Sequence, residues 1–92
     1  MGLFAYVLEN LARPTRAAVT AHERYLGSLG EAVVAAGAFR DGSGAIVCLT
    51  APDESEAEAI ARADPLVVFG FTLYHLHAIE RAEPSRLPAV AS

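Results

Sequence analysis

Four short apolar segments, separated by chain breaks and by two helical patterns, constrain the fold of this sequence more than any other feature. Each segment has the length and the apolar composition of a β-strand. The segments lie at residues 3–8, 32–39, 45–50 and 71–80. Asp41 and Gly42 fall between the second and the third, and Asp-Gly is typical of a tight hairpin turn. The two middle segments are therefore predicted to be neighbouring antiparallel strands.

Helix signals occupy the two longer stretches between the strands. Thr15 is a candidate N-cap for a first helix that Gly30 would end. Asp53 is a candidate N-cap for a second helix, which Pro65 is expected to end. The resulting order β-α-β-β-α-β predicts a ferredoxin-like α+β fold, an antiparallel sheet with both helices on one face. We expect one domain over residues 1–80 and a C-terminal tail, 81–92, that wraps the surface or is disordered.

The predicted strands are apolar on both faces. In the first strand Phe4 and Tyr6 alternate with Ala5 and Val7, whereas a sheet with one wet face alternates apolar and polar residues. Two helices can cover only one face of the sheet. We therefore expect a homodimer in which the uncovered faces of two copies pack together.

One imidazole interrupts the apolar face of the first helix. His22 lies four residues after Ala18 and four before Leu26, so the three share a face. On the second helix the apolar stripe through Ile60 continues to Asp64, at a predicted C-terminal end where the helix dipole disfavours a carboxylate. Because both helices cover the same sheet face, His22 and Asp64 are predicted to meet. Asp64 would then fix the tautomer of His22, which would act as a general base.

The same pair has a structural interpretation. A buried histidine and aspartate can lock two helices together, and such structural pairs perturb titration as catalytic pairs do. On spacing alone the structural interpretation is the simpler one, and both stay open at this point.

Five further residues are candidates for substrate binding. Tyr25 lies one turn after His22, Tyr6 lies on the first strand, and Gly37 leaves room beside a bound molecule. His75 and His77 share one face of the last strand because side chains repeat every second residue.

The two strand histidines also raise the possibility of a metal site. Two imidazoles on one face bind Zn²⁺ or another divalent ion when a third ligand such as His22 is near. No supporting carboxylate is evident beside them, so we expect His75 and His77 at the barrel rim, at the dimer contact or against a substrate, and no metal.

Composition excludes several classes of function. The net charge is −4, and the seven basic residues are all scattered arginines, so nucleic acid is not an expected partner. The turn around Asp41 and Gly42 leads into no helix and the chain has no lysine, so it is not a phosphate-binding loop, and no cofactor is expected. One cysteine, Cys48, excludes an internal disulfide. The chain carries no recognisable signal peptide or membrane span, and the expected location is the cytoplasm.

Three blocks of the sequence resemble the YCII-related (YciI-like) family. They are "TAHERYL" at 20–26, "AAGAFRDGSGAIVCL" at 35–49 and "EAIARADPLVVFG" at 58–70. The resemblance implies a dimeric α+β barrel with a site formed by His22 and Asp64, and it implies no metal. A member of that family removes chloride from a chlorinated hydroxyhydroquinone. After Ala-Asp-Pro the stretch "LVVFG" is more apolar than the family pattern, which favours an apolar or aromatic ligand.

The sequence therefore supports two functional hypotheses. In the first, the protein is an enzyme that uses the His22–Asp64 dyad for elimination, isomerisation or hydrolysis of a small apolar or aromatic molecule. In the second, it is a non-catalytic binding protein or accessory subunit in which the pair is structural.

Overall fold

A computed structural model describes residues 1–81 of the chain. It contains four strands: β1, Gly2–Asn10; β2, Val33–Ala38; β3, Gly44–Ala51; and β4, Thr72–Ile79. Three α-helices accompany them: α1, Arg16–Leu29; α2, Glu54–Arg62; and α3, Pro65–Val68. A single 3-10 turn at Gly30–Ala32 links α1 to β2. The expected tail, except for Arg81, lies outside the described residues.

The four strands form one antiparallel sheet in the order β2-β3-β1-β4. The pairing of β1 with β3 and β4 is continuous, while a β-bulge interrupts β2 between Val33 and Ala35. The predicted ferredoxin-like α+β fold is confirmed. Each predicted strand is present, with ends that differ by at most two residues from those expected.

Local signals account for where the first two helices begin and for the turn between β2 and β3. The Thr15 hydroxyl accepts a hydrogen bond from the backbone N–H of Ala18 (3.1 Å), and the Asp53 carboxylate accepts one from Glu56 (2.9 Å). In the hairpin between β2 and β3, Gly42 has a φ of 76°, which favours glycine. These caps and this turn depend on neighbours three or four residues apart, so a linear pattern is enough to predict them.

The predicted end of the second helix is wrong. The sequence was expected to remain helical up to Pro65, but α2 ends at Arg62, and Pro65 instead opens the separate helix α3. Proline disfavours the α conformation at the residue before it, and Asp64 is extended, with φ −60° and ψ 128°. A proline is well tolerated in the first turn of a helix, so the chain turns at Asp64 and restarts.

The core lies between the helices and one face of the sheet. Its largest fully buried apolar side chains are Tyr6, Leu8, Val47 and Leu49, all from the two central strands. The packed helix residues are mostly small, with Ala18, Ala57 and Ala61 buried, so the helices approach the sheet closely.

The opposite face of the sheet carries no helix. Strand alternation and the registers of β1, β3 and β4 place on it a set of mainly apolar side chains that we call the open face: Leu3, Ala5, Val7, Glu9, Ile46, Cys48, Thr50, Leu73, His75, His77 and Ile79. Leu73 and Ile79 are exposed, while Val7 and Ile46 are half-buried. The apolar character of both sheet faces, read from the sequence, is therefore present in the fold.

Within the same 81 residues, no helix has both the length and the apolar character that crossing a bilayer requires.

Gly44 is predicted to be indispensable where β3 leaves the hairpin. A Cβ at this position would lie 1.7 Å from the backbone oxygen of Leu8, and neither chain can move without breaking the β1–β3 pairing. We expect Gly44→Ala to lower the free energy of unfolding by more than about 3 kcal/mol, measured by urea denaturation.

The matched control is the same chemical change in a helix. A Cβ at Gly27 of α1 would contact nothing within 4 Å, so Gly27→Ala should raise stability by about 0.5–1 kcal/mol. Equal effects of the two substitutions would contradict the close approach of β1 to β3.

Candidate active site

His22 and Asp64 meet beneath the helices. The imidazole Nδ1 lies 2.7 Å from Oδ2 and 2.9 Å from Oδ1 of the carboxylate. Asp64 is fully buried and His22 is 9% exposed. The two side chains that the sequence predicted to converge are therefore in direct hydrogen-bonding contact.

Asp64 occupies a different local position from the one predicted. It does not end α2 against the negative end of the helix dipole; it is the N-cap of α3, and its Oδ1 accepts a hydrogen bond from the backbone N–H of Leu66 (3.0 Å). The early end of α2 and the restart at Pro65 cause this change. The carboxylate thus faces backbone donors, which stabilise negative charge, rather than backbone carbonyls.

Tyr6 supplies a third donor to the same carboxylate. Its hydroxyl, on the central strand β1, donates to Asp64 Oδ2 at 2.9 Å. Tyr6 is fully buried, and burial, followed by the negative charge of Asp64 and the hydrogen bond to it, raises the pKa of the phenol well above its ordinary value. It therefore stays protonated and acts only as a donor to Asp64. Sequence reasoning placed Tyr6 against a substrate; the structure places it behind the dyad.

The contact with Asp64 determines which nitrogen of His22 carries hydrogen. A carboxylate only accepts hydrogen bonds, so Nδ1 of His22 is the N–H that donates to it. In the neutral imidazole the unprotonated nitrogen is then Nε2. Among residues 1–81, Nε2 has no hydrogen-bond partner and is not fully buried, so it remains accessible. An accessible, unprotonated Nε2 is the arrangement that a general base requires.

His22 lines a cleft of about 510 Å³ between α1 and the β2–β3 end of the sheet. Most of the lining is apolar. It comprises Leu8, Pro14, Val19, Leu26, Ala36, Ala38, Phe39, Ala45 and Leu66, with Gly37, Gly42 and Gly44 contributing backbone and with Asn10, His22 and Glu23 as the polar residues. The volume suits a single-ring molecule, and the lining suits an apolar one.

Gly37 and Tyr25 have different positions relative to this cleft. Gly37 contributes backbone to the lining; it pairs with Ile46, so a Cβ there would point to the open face, where nothing lies within 4 Å. Tyr25 is not among the lining residues; its hydroxyl donates to the backbone oxygen of Ile60 at 2.7 Å and so joins α1 to α2. Burial and the charge of Asp64 raise its pKa. The hydrogen bond of Tyr25 therefore joins two helices and does not face the cleft.

His75 and His77 lie on the open face, on the side of the sheet away from His22. They are paired with Val7 and Ala5 in the register of β1 and β4, and Nε2 of His75 lies 3.8 Å from Oε2 of Glu9. His22 therefore cannot complete a metal site with His75 and His77, and this possibility raised from the sequence is wrong. Within residues 1–81 no group of three or more His, Cys, Asp or Glu side chains is placed to hold a metal ion.

Two polar residues of the cleft were not singled out from the sequence. Glu23, an exposed residue of α1, borders the cleft next to His22. Asn10 lies at the end of β1, and its side-chain nitrogen donates to the backbone oxygen of Gly42 at 2.9 Å, which ties the hairpin turn to the cleft. Its position directly after His22 in the sequence could have indicated that Glu23 lies near the site. Nothing in the linear sequence indicates that the hairpin reaches Asn10.

Comparisons with known proteins identify the fold. No family model matches the chain, and no curated protein matches it. Among solved structures, it is similar to a 5-chloro-2-hydroxyhydroquinone dehydrochlorinase from Burkholderia phenoliruptrix AC1100 in complex with 2,5-dihydroxybenzoquinone. The TM-score is 0.72 at 18% sequence identity, over 87% of this chain and 95% of that chain. The two proteins share the same α+β fold over nearly their whole lengths.

The role of Tyr6 in the buried network predicts an unusual dependence of stability on alkaline pH. In the folded protein its pKa is raised, whereas in the unfolded chain the phenol loses its proton at about pH 10. Above that pH the unfolded chain binds fewer protons than the folded protein, so the free energy of unfolding falls as pH rises.

Tyr6→Phe should separate the two contributions of this hydroxyl. At neutral pH the loss of its hydrogen bond to Asp64 should cost about 1–2 kcal/mol of stability. Between about pH 10 and pH 11 the difference from wild type should shrink by about 1 kcal/mol, because the variant has no phenol to titrate. Urea denaturation of wild type and variant across this range measures both effects. A difference that stays constant with pH would contradict the raised pKa.

Proposed function

We propose that this protein is a proton-transfer enzyme that acts on a small, apolar, ring-bearing molecule in the cleft, with His22 as the general base. Asp64 orients the imidazole and stabilises its charged form. The observation that carries the proposal is the geometry of one ring: Nδ1 is held at 2.7 Å by a fully buried carboxylate, while the imidazole lines a cleft. A base held in one tautomer with its free nitrogen toward a ligand site loses little entropy when the ligand binds.

The proposed chemistry follows from the two nitrogens of the imidazole. Nε2 removes a proton from the substrate, and Asp64 offsets the positive charge that develops on the ring. The imidazolium then returns the proton to another atom of the substrate or to a leaving group. The first outcome is an isomerisation and the second is an elimination; activation of a water in place of the substrate gives hydrolysis.

Two further observations support this class of reaction. The cleft is lined largely by apolar side chains, which bind the body of a ring and exclude water from the base. The chain also shares its fold with a dehydrochlorinase of a hydroxylated ring, and its sequence resembles the YCII-related family through His22 and Asp64. We therefore propose hydroxylated aromatic rings as the first substrates to test.

The test is a substitution that removes the base but keeps the buried hydrogen bond. The side-chain nitrogen of asparagine reaches roughly the position of the histidine Nδ1, so His22→Asn keeps a donor to Asp64 and deletes Nε2. We expect wild type to accelerate exchange of ring hydrogens for deuterium in catechol or hydroquinone, or to release chloride from 5-chloro-2-hydroxyhydroquinone. The variant should lose roughly 10²-fold or more of that rate.

The matched control is His77→Asn, the same change on the open face. Circular dichroism must show that both variants stay folded. Full activity of a folded His22→Asn variant would overturn the catalytic assignment. If wild type binds these rings in the cleft and transfers no proton, the protein is instead a binding protein or accessory subunit in which the dyad is structural.

We also propose that the protein functions as a homodimer through the open face. The face combines apolar side chains from three strands with few charged groups, and Leu73 and Ile79 on it are 46% and 37% exposed. Burial of such a surface against a second copy removes apolar area from water, which a 92-residue chain with a small core benefits from.

A charge at the centre of the open face should disrupt this dimer. Ile46 lies between Val7 and Gly37 in the register, and Ile46→Glu would bury an unpaired carboxylate in a face-to-face contact. Sedimentation equilibrium at micromolar concentration should show a dimer for wild type and a monomer for the variant. Val68→Glu is the control, since Val68 is an apolar residue of α3, 63% exposed and outside the open face. A monomeric wild type would contradict the proposed dimer.

A further inference from the structure

The charged side chains around the cleft are mainly negative. Of the side chains that line it, Glu23 carries a negative charge at neutral pH, and no arginine is among them. Asp64 places a second negative charge directly behind the imidazole. In the part of the chain that the structure describes, neither carboxylate lies within 4.0 Å of an arginine nitrogen. The side chains that line the cleft therefore include one carboxylate and no arginine, and neither carboxylate is neutralised by an ion pair with an arginine.

The polar atoms left over for a ligand are mainly acceptors. Nδ1 of His22 already donates to Asp64, and the side-chain nitrogen of Asn10 already donates to Gly42. The cleft side chains then offer three acceptors, which are Nε2 of His22, the carboxylate of Glu23 and the amide oxygen of Asn10, and one remaining donor, the second N–H of the Asn10 amide. The complementary ligand is one that brings its own donors.

We infer that the cleft selects electrically neutral rings with hydroxyl donors and rejects rings of the same shape that carry a carboxylate or phosphate, and that Glu23 is the residue responsible. The inference rests on the cleft of the proposed function, although not on its catalytic step. A hydroxyl group donates to the Glu23 carboxylate in a charge-assisted hydrogen bond. An anion instead brings a like charge next to the Glu23 carboxylate; Glu23 is exposed, so water screens part of this repulsion.

The experiment compares matched pairs of probes at pH 7.5. Each pair joins a neutral alcohol to the carboxylate of the same ring, benzyl alcohol to benzoate and 4-hydroxybenzyl alcohol to 4-hydroxybenzoate. Dissociation constants come from nitrogen–proton correlation spectra in which the backbone amides of cleft residues such as Val19, Leu26 and Ala45 are followed. We expect the alcohols to bind about tenfold more tightly than their carboxylate partners, the size of effect that one like charge at close range produces.

Glu23→Gln should reduce this preference several-fold, mainly by tightening the binding of the carboxylates. Glu54→Gln is the matched control. It removes the same charge from the chain, but Glu54 begins α2 after the end of β3 that is remote from the cleft residues Gly44 and Ala45. This control should keep the full preference of wild type for alcohols.

Three outcomes overturn the inference. They are equal binding of alcohols and carboxylates by wild type, an unchanged preference in Glu23→Gln, and no response of the cleft amides to either class of probe. Its failure is distinguishable from failure of the proposed function. The preference is measured by binding alone, without turnover, so it can be present when proton transfer is absent and absent when proton transfer is present.

Discussion

The buried carboxylate of Asp64 is the interaction on which the rest of this structure depends. A charge with no exposure to water is costly unless donors surround it, and here three converge on it: the Tyr6 hydroxyl, Nδ1 of His22 and the backbone N–H of Leu66. The donors come from β1, α1 and α3, so satisfying one charge ties the centre of the sheet to two helices. The other buried residues of β1, α1 and α3 are small or apolar. Contacts between apolar side chains are not directional, so they fix the positions of these elements less precisely than the hydrogen bonds to Asp64 do.

The same network gives His22 the orientation that the proposed proton transfer requires. Because Asp64 takes the hydrogen of Nδ1, Nε2 remains as an acceptor at the wall of the cleft. Tyr6 and Leu66 hold the carboxylate in turn, so the imidazole is oriented before any ligand arrives. Structural and catalytic roles of the pair are therefore compatible: the rigidity that locks the helices to the sheet is also the preorganisation that a general base uses.

The sheet separates two surfaces of different character. On the helix side, the cleft is apolar and bordered by acceptors and negative charge, a combination suited to neutral molecules that donate hydrogen bonds. On the other side, the open face is apolar and continuous across three strands, and it carries His75 and His77. Because strand residues alternate between the two sides, the same four strands supply both surfaces.

The sequence by itself determined the features that depend on residues close together in the chain. The succession of strands and helices along the chain, the caps Thr15 and Asp53 and the Asp41-Gly42 turn could all be predicted, because each depends on periodicity or on contacts between residues close in sequence. Periodicity also predicted that His22 and Asp64 would meet. It assigned Asp64 to the wrong helix end, because a stripe of apolar residues does not reveal that Pro65 starts a new helix.

Only the tertiary structure decided the features that join distant parts of the chain. Tyr6 reaches Asp64 across 58 positions, and no linear pattern indicates this contact. Glu23 borders the cleft because the β2–β3 hairpin folds toward α1. The sequence showed that His75 and His77 share a face, but with apolar residues on both sides of β4 it did not show which face. The side of the sheet on which a strand residue lies follows from its pairing with β1, and pairing is a property of the folded sheet.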